Sequence, residues 1–209
     1  MLITAKALFG EVLLPLHKKT KDILLVSSHP GLRKSFSIMS HLTYEELITL
    51  FDLSKNFKNI LEIGSYIGAS ACCFGAALRG IGSGRVICID TWNNDAMTEG
   101  NRDTWQEFQN NTVSYKDRII AIRGYSTAVV DEVAAHVKSL DLLFIDGDHS
   151  YEGVKADWEA YKRFLRPGSI AVFHDSGWAE GVKRVIEEDA MQLVASYDSL
   201  PNMWWGIIK

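Results

Sequence analysis

Acidic side chains and histidines follow two apolar runs in the second half of the chain. One run leads into Asp146 and His149, and the other leads into His174 and Asp175. Carboxylates and imidazoles that converge can bind a divalent cation, and a histidine such as His149 can accept a proton. The alternative is helix capping, because Asp is favoured just before the first turn of a helix. We favour a functional role for Asp146, His149 and Asp175 taken together.

A loop with two glycines follows an earlier apolar run. It spans Glu62–Ser70, and Gly64 and Gly68 permit a tight turn and the close approach of a ligand to the backbone. The helix that should follow offers free amides at its N-terminus. The loop lacks the G-x-G-x-x-G spacing of dehydrogenases, and Glu62 would repel a pyrophosphate but attract a cationic ligand. We therefore favour a cofactor loop over a purely structural turn.

Asp90 ends the next apolar run, 22 positions after Gly68. A carboxylate at this point accepts hydrogen bonds from the two hydroxyls of a ribose in many nucleoside-binding sheets. The alternative is that Asp90 only caps the following turn. The spacing fits nucleoside cofactors in general and does not select one of them.

These loops need a scaffold that brings the ends of several strands to one edge. Seven strands are predicted, at Ile60–Ile63, Val86–Asp90, Ile119–Arg123, Leu142–Asp146, Ile170–His174, Gln192–Tyr197 and Met203–Ile208. The helices predicted between them are Ala69–Leu78, Asp103–Asn110, Ala128–Lys138, Val154–Phe164 and Ala179–Glu188. This alternation predicts one α/β sheet with helices on both faces. The short connection before the last strand predicts an antiparallel hairpin.

Residues 1–58 lack this alternation. We interpret them as an N-terminal helical cap or extension that covers the sheet or the mouth of the site, ahead of a cofactor-binding domain at 59–209. Thr43 and Glu46 have the spacing of a capping box at the start of a helix. Segments 1–40, Asn93–Arg102 and Gly177–Gly181 are expected to determine specificity, and Gly100 with its polar neighbours suggests a mobile lid.

The composition excludes several classes of protein. The chain has 209 residues, enough for one domain, with 22 Lys and Arg against 26 Asp and Glu. Its net charge of -4 argues against a nucleic-acid platform. The sequence contains no run of 18 apolar residues, so no membrane span is predicted. Met1–Leu16 is expected to be a helix rather than a signal peptide. The three cysteines make no disulfide framework, so a cytoplasmic location is expected.

Taken together, the motifs resemble those of a class I S-adenosylmethionine-dependent methyltransferase. Within that class they are similar to the branch of macrocin-type sugar O-methyltransferases and cephalosporin-hydroxylase-like proteins. The blocks that carry the resemblance occur in the order of the family, at Glu62–Ser70, Asp90–Trp92, Gly124–Ser126, Phe144–Tyr151 and Pro167–Asp175. The resemblance implies a Rossmann-like seven-stranded sheet whose last strand is antiparallel. It also implies S-adenosylmethionine as cofactor and a hydroxyl on a sugar, polyketide or aromatic small molecule as acceptor.

The resemblance further implies individual site roles. The residues it assigns to the cofactor are Glu62, Gly64, Ser65, Gly68, Ser70, Asp90, Thr91, Trp92, Ser126 and Asp146. Among these, Asp90 would hold the ribose hydroxyls, with Thr91 and Trp92 beside them, and Ser126 would lie near the adenine. The resemblance implies a divalent metal, magnesium or manganese, held by Asp146, His174 and Asp175.

His149 is the general base that the resemblance implies. Because it lies near a predicted helix start, where the helix dipole disfavours a protonated imidazole, we expect its pKa to be lowered. His174 departs from the family, whose metal-dependent enzymes usually carry Glu or Asp at this position. Magnesium prefers oxygen ligands, so the imidazole leaves manganese, or no metal at all, as alternatives.

Two other functions remain open at the level of the sequence. One is an NAD-linked oxidoreductase, against which the missing dinucleotide loop argues. The other is a non-catalytic cofactor-binding or dimerisation module of the same fold, since fold alone does not determine function. A homodimer is the common oligomeric state for such a domain. The sequence does not identify the acceptor.

Overall fold

The computed structural model describes residues 22–94 and 100–209. Seven strands form one sheet in the order β3-β2-β1-β4-β5-β7-β6. Their bounds are β1 Asn59–Ile63, β2 Arg85–Asp90, β3 Ile119–Arg123, β4 Leu140–Ile145, β5 Leu165–His174, β6 Val194–Leu200 and β7 Met203–Ile208. Strands β1 to β5 pair in parallel, whereas β7 lies antiparallel between β5 and β6. The predicted α/β sheet with its terminal hairpin is therefore confirmed.

Helices occupy the connections where the sequence predicts them. Their bounds are α1 Arg33–Phe36, α2 Tyr44–Ser54, α3 Ala69–Ile81, α4 Trp105–Thr112, α5 Val130–His136, α6 Tyr151–Tyr161 and α7 Glu180–Val185. Residues 22–28 are also helical. The prediction of one α-helix over Ala179–Glu188 is wrong in part, because α7 passes into a π-turn at Ile186–Ala190. A 3-10 turn then delays the start of β6 to Val194.

Both faces of the sheet are covered, which explains the continuous apolar runs of the central strands. In β1, Leu61 packs with Trp158 of α6 on one face. Its neighbour Ile60 packs with Leu50 of α2 and Phe74 of α3 on the other face. Successive side chains of a strand point to opposite faces, so a strand buried on both sides needs apolar residues at every position.

The carboxyl ends of the central strands are held close together. The amide of Gly64 donates to the Ile89 carbonyl at 2.9 Å, and the amide of Asp146 donates to the Ile63 carbonyl at 2.8 Å. Gly64 has a φ of +86°, and a methyl group on it would overlap the Asp146 carbonyl. Only glycine permits both this backbone conformation and this approach. The edge that carries the candidate site is thus built around one glycine.

The N-terminal helices approach this edge through α2. The predicted capping box is present, since Thr43 Oγ1 accepts from the Glu46 amide at 3.2 Å and Glu46 Oε2 accepts from the Thr43 amide at 2.7 Å. Helix α2 packs on α3, where Cys73 Sγ donates to the Leu47 carbonyl at 3.0 Å. The proposed division at residue 58 stays a prediction.

Three expectations lie outside the described residues, wholly or in part. The helix at Met1–Leu16 falls within residues 1–21, which also form the first half of the specificity segment 1–40. The specificity segment Asn93–Arg102, which contains the Gly100 region suggested as a lid, includes residues 95–99. Among residues 22–94 and 100–209, no helix is long and apolar enough to cross a membrane.

Replacing Gly64 by alanine should destabilise the fold more than the same change at Gly82. Both glycines have a positive φ, but a methyl group at Gly82 meets no atom within 4 Å. Gly82→Ala should cost about 1–2 kcal/mol of backbone strain, and Gly64→Ala should add ~1–3 kcal/mol for the overlap. Urea denaturation of the two variants measures the difference, and equal losses would contradict the close approach of the strand ends.

Candidate active site

Two cavities open at the carboxyl edge of the sheet, and both are lined by Gly64, Asp90 and His149. Cavity A, of about 340 Å³, extends toward Asp146 and Asp175 at the ends of β4 and β5. Cavity B, of about 590 Å³, extends over the ends of β2 and β3. Ligands of open α/β sheets bind at this edge. A ligand with two parts can therefore occupy both cavities and pass the shared residues.

Asp90 shapes the loop that separates the two cavities. Its Oδ2 accepts hydrogen bonds from the amides of Ser65 at 2.9 Å and Tyr66 at 2.8 Å. Its Oδ1 accepts from the amide of Trp92 at 2.6 Å. The two interpretations of Asp90 are compatible, because the carboxylate caps the turn and also lines both cavities.

Glu62 lies buried beneath the same loop. Its Oε2 accepts from Ser65 Oγ at 2.7 Å, whereas Oε1 has no hydrogen-bond partner within the described part of the chain. Burial raises the pKa of Glu62 to about 7. A buried carboxylate oxygen without a donor is costly in a folded protein. This oxygen marks a place where a cationic or hydrogen-bond-donating ligand group would be stabilised.

The structure corrects the role predicted for Trp92. This side chain is fully buried, and its Nε1 donates to the Tyr66 carbonyl at 2.9 Å. Its ring packs against Trp105 and Phe108 with centroid distances of 4.5 and 4.7 Å. Trp92 lines neither cavity, because the turn after Asp90 places its indole in the apolar core.

The other predicted cofactor residues divide between three places. Cavity A is lined by Gly64, Ser65, Ser70, Asp90 and Asp146. Cavity B is lined by Gly64, Asp90, Thr91 and Ser126. Gly68 lies outside both cavities. It caps the N-terminus of α3 with a φ of +93°, and it lies beside Phe108 and Thr112.

Cavity B contains a second buried carboxyl, that of Asp157. Its Oδ1 accepts from Ser126 Oγ, and the Ser126 carbonyl accepts from Tyr161 Oη at 2.6 Å. Burial raises the pKa of Asp157 to about 6. Ser126, which the resemblance places near an adenine, therefore lies beside an acceptor whose role the sequence did not reveal.

His149 lies where the two cavities meet, paired with Asp175. The distance from His149 Nε2 to Asp175 Oδ2 is 2.8 Å. The hydrogen bond with Asp175 raises the pKa of His149, and partial burial opposes the shift. The expectation of a lowered pKa was wrong, because a carboxylate in direct contact outweighs a helix dipole.

The Asp175 carboxylate is surrounded by nitrogen atoms. Its Oδ1 accepts from Trp178 Nε1 at 2.7 Å and from Asn202 Nδ2 at 2.9 Å. Its Oδ2 lies 2.8 Å from His149 Nε2 and 3.4 Å from His174 Nδ1. Burial opposes ionisation, but these contacts hold the pKa of Asp175 well below its usual range. The four contacts also hold the residue at a φ of +59°, an uncommon conformation for a non-glycine.

His174 is buried among carboxylates from three elements. Its Nδ1 lies 2.9 Å from Asp146 Oδ1, and its Nε2 lies 3.6 Å from Glu46 Oε2. Burial alone would lower the pKa of His174, but Asp146, Asp175 and Glu46 together raise it to about 12. Nε2 also lies 3.4 Å from Asn202 Nδ2, an amide donor, so the closest carboxylate contacts of the ring are those of Nδ1.

The structure brings together the three residues predicted to hold a metal. Ligand atoms of Asp146, His174 and Asp175 all lie within 4.8 Å of one another. Each oxygen of Asp175 nevertheless already faces two nitrogen atoms. One of these nitrogens belongs to His174, itself a member of the predicted set, so the metal site stays a prediction.

Comparison with known families decides the class of the chain. The profile of a methyltransferase domain family matches residues 61–176. The chain belongs to this family. The matched segment begins in β1 and ends just after β5, so it includes the glycine loop, Asp90, His149 and Asp175.

Known proteins similar to this methyltransferase domain include one curated relative and several solved structures. Protein y4gI of Sinorhizobium fredii (strain NBRC 101917 / NGR234), described as uncharacterized, is 30% identical over 124 residues, which are 57% of this chain and 13% of that protein. The chain thus spans a small fraction of the length of this relative. The structure of the O-methyltransferase NovP has a TM-score of 0.69 at 13% identity, covering 81% of this chain and 82% of NovP. An O-methyltransferase from Bacillus cereus in complex with SAH has a TM-score of 0.64 at 17% identity, covering 96% and 95%.

Besides Asp157, the sequence did not indicate two side chains of the methyltransferase domain's site. Asn202 lies in the hairpin turn, and the pairing of Met203 with His174 places that turn beside Asp175. The predicted antiparallel hairpin was the signal that could have located it. Glu46 was interpreted only as a helix cap, and nothing in its local sequence indicates that it faces His174.

Glu62→Gln should stabilise the ligand-free methyltransferase domain at alkaline pH. The carboxyl has a folded-state pKa of about 7 against an ordinary value of 4.5, so the fold favours its neutral form. The contribution of Glu62 to the free energy of unfolding is therefore fully present below pH 4.5, and it is lost as the pH rises through 7. The variant should gain about 2–3 kcal/mol more over wild type at pH 8 than at pH 5.

Thermal unfolding at both pH values measures this gain. Glu187→Gln, at an exposed site, is the matched control and should show no such difference. A Glu62→Gln variant whose advantage is the same at pH 5 and pH 8 would contradict the raised pKa of the buried carboxyl.

Proposed function

We propose that the chain is an S-adenosylmethionine-dependent methyltransferase that acts on a hydroxyl group of a small molecule. The observation that carries the proposal is the position of His149, which is paired with Asp175 at the point where cavities A and B meet. Membership of a methyltransferase family supports the reaction, and O-methyltransferases among the solved structures of similar fold support the hydroxyl acceptor.

The cavities fit the parts of this cofactor. In the proposed arrangement, cavity B holds the adenosine, with Asp90 and Thr91 at the ribose and Ser126 and Asp157 at the adenine. The amino acid part extends into cavity A toward the loop above Glu62, whose unpartnered Oε1 fits a cationic group. When bound, the cofactor supplies an electrophilic methyl group on a positively charged sulfur. The SAH in the Bacillus cereus structure supports this assignment.

His149 is proposed as the general base. A neutral hydroxyl is a weak nucleophile, and removal of its proton during transfer accelerates the reaction. Asp175 holds Nε2 of the imidazole, so Nδ1 is the nitrogen that can accept a proton. A carboxylate in this position orients the ring and stabilises the imidazolium that forms, as in other histidine bases.

The acceptor is proposed to enter through cavity A. Trp178 lines this cavity, is 59% exposed, and has its indole nitrogen anchored on Asp175. An anchored aromatic ring 5.0 Å from the ring of His149 offers a flat apolar surface beside the base. Ser40, His41 and Leu42 line the same cavity from the N-terminal side. These features suit a small hydroxylated sugar, polyketide or aromatic molecule, and they leave the choice among them to experiment.

Asp90→Ala should weaken the binding of S-adenosylhomocysteine. Loss of a charged acceptor for the ribose hydroxyls should cost about 1.5–3 kcal/mol, which is roughly a 10- to 150-fold loss of affinity. Isothermal titration calorimetry measures it, with Asp117→Ala as an exposed control expected to bind normally. Wild-type protein stabilised by NAD but not by S-adenosylhomocysteine would overturn the assigned cofactor, and normal binding by Asp90→Ala would overturn the assigned ribose site.

His149→Ala should lower turnover by about 10²–10⁴-fold while leaving cofactor affinity nearly unchanged. Since only neutral imidazole can act as a base, and Asp175 raises its pKa, wild-type kcat should rise with pH through a value above 6.5. Asp175→Asn should move this rise to lower pH and reduce the maximal rate. Methyl transfer is measured by incubating the protein with the cofactor and a panel of hydroxylated metabolites. The control is His136→Ala, a change at an exposed histidine. Turnover by His149→Ala at the wild-type rate would assign the base elsewhere.

A further inference from the structure

We propose that the carboxylate of Asp157 accepts a hydrogen bond from the 6-amino group of adenine and makes cavity B selective for a purine that carries this amine. The inference rests on the proposed function, which places an adenosine in cavity B. It assigns Asp157 as a specificity-determining residue on α6, outside the loops that directly follow the strands.

The first step of the argument is that one oxygen of the Asp157 carboxylate is available to a ligand. Oδ1 accepts from Ser126 Oγ, and no donor contacts Oδ2 within residues 22–94 and 100–209. The side chain is 5% exposed and lines cavity B, so the small surface that it keeps faces this cavity. A buried polar atom without a partner is costly, and a donor supplied by a ligand would remove that cost.

The second step is the support of the wall that carries this carboxylate. The hydroxyl of Ser126 donates to Asp157, and the carbonyl of Ser126 accepts from Tyr161 Oη at 2.6 Å. Tyr161 is fully buried and lies one helical turn beyond Asp157 on α6. At the start of the same loop, the amide of Gly124 donates to the Asp90 carbonyl at 2.9 Å. The loop after β3 is therefore fixed to β2 and to α6, and Ser126 occupies Oδ1, so Oδ2 is the oxygen left for a ligand.

The third step is the set of chemical groups that line cavity B. Asp90 offers a carboxylate, Ile63, Ile89 and Ala156 offer apolar surface, and Asp157 offers the second, buried carboxylate. An adenine nucleoside presents hydroxyls on its ribose, apolar faces on its base and an amine at the edge of that base. Each part of the nucleoside thus has a counterpart in the cavity, and Asp157 is the counterpart of the amine.

The fourth step is the direction of the hydrogen bond. Burial raises the pKa of Asp157 to about 6, so the group is ionised at pH 8. An ionised carboxylate accepts hydrogen bonds and cannot donate them. The 6-amino group of adenine is a donor, whereas a purine with hydrogen at this position has no donor there. A site built to accept from an N–H group rejects the analogue that lacks it, because its buried acceptor is then left unpaired.

The test compares two ligands that differ only at position 6 of the purine. They are S-adenosylhomocysteine and its 6-deamino analogue, in which a hydrogen atom replaces the amino group. In isothermal titration calorimetry at pH 8, the wild type should bind S-adenosylhomocysteine more tightly by at least ~10-fold, as expected for a hydrogen bond to a charged group. Asp157→Asn keeps the shape of the side chain and an acceptor for Ser126, but it turns a donor toward the ligand. This variant should bind the two compounds with affinities within about threefold of each other.

Asp148→Asn is the matched control, because it removes the same charge from another carboxylate that lines cavity B. One oxygen of Asp148 already accepts from the Ser150 amide at 2.7 Å, and this variant should keep the wild-type preference. If Asp148→Asn lost the preference as fully as Asp157→Asn, the charge of the cavity would account for it and the proposal would be overturned. An unchanged preference in Asp157→Asn would overturn it as well.

The wild type alone keeps the proposal testable if Asp157→Asn does not fold, since equal affinity of the wild type for both compounds would overturn it. None of these measurements requires turnover. A failure of methyl transfer to a hydroxyl would therefore leave the preference measurable. Conversely, a wild type that binds S-adenosylhomocysteine without the preference would overturn the role of Asp157 and leave the proposed reaction standing.

Discussion

The surroundings of the Asp175 carboxylate are the constraint on which the rest of the site depends. Four nitrogen atoms converge on it, from the loop after β4, from β5, from the segment after β5 and from the hairpin turn. These contacts stabilise an uncommon backbone conformation, fix the orientation of His149 and bring His174 against Asp146. Strained residues persist where the surrounding structure over-determines them, and they concentrate at functional sites.

The protein carries buried acidic groups that a purely structural design would avoid. Glu62 has one oxygen without a partner among the described residues, and burial raises the pKa values of Glu62 and Asp157 to about 7 and 6. Both carboxyls lie beneath or beside the cavities. Binding a ligand that is cationic or donates hydrogen bonds there would compensate a cost that the ligand-free fold bears. Stability would then be coupled to occupation of the site.

Much of the fold could be predicted from the sequence because its signals are local. Fully buried strands such as Leu140–Ile145 need apolar residues throughout, and short connections force the final hairpin. Candidate site residues that follow strand ends were located for the same reason. Trp92 was misplaced because its position next to Asp90 does not reveal the direction of its ring. Boundaries also shifted where α7 passes into a π-turn, which no local pattern indicates.

By itself, the sequence determined the order of the strands and helices, the edge at which the site lies, and Asp90, His149 and Asp175 as its candidates. Parallel strands bring their carboxyl ends to one edge whatever their side chains do there. Only the tertiary structure decided how the polar groups pair. Glu46 reaches His174 across 128 positions of the chain, and Asn202 reaches Asp175 because β7 inserts beside β5. Such contacts depend on packing between distant segments, and so do the charges and pKa values of the groups involved.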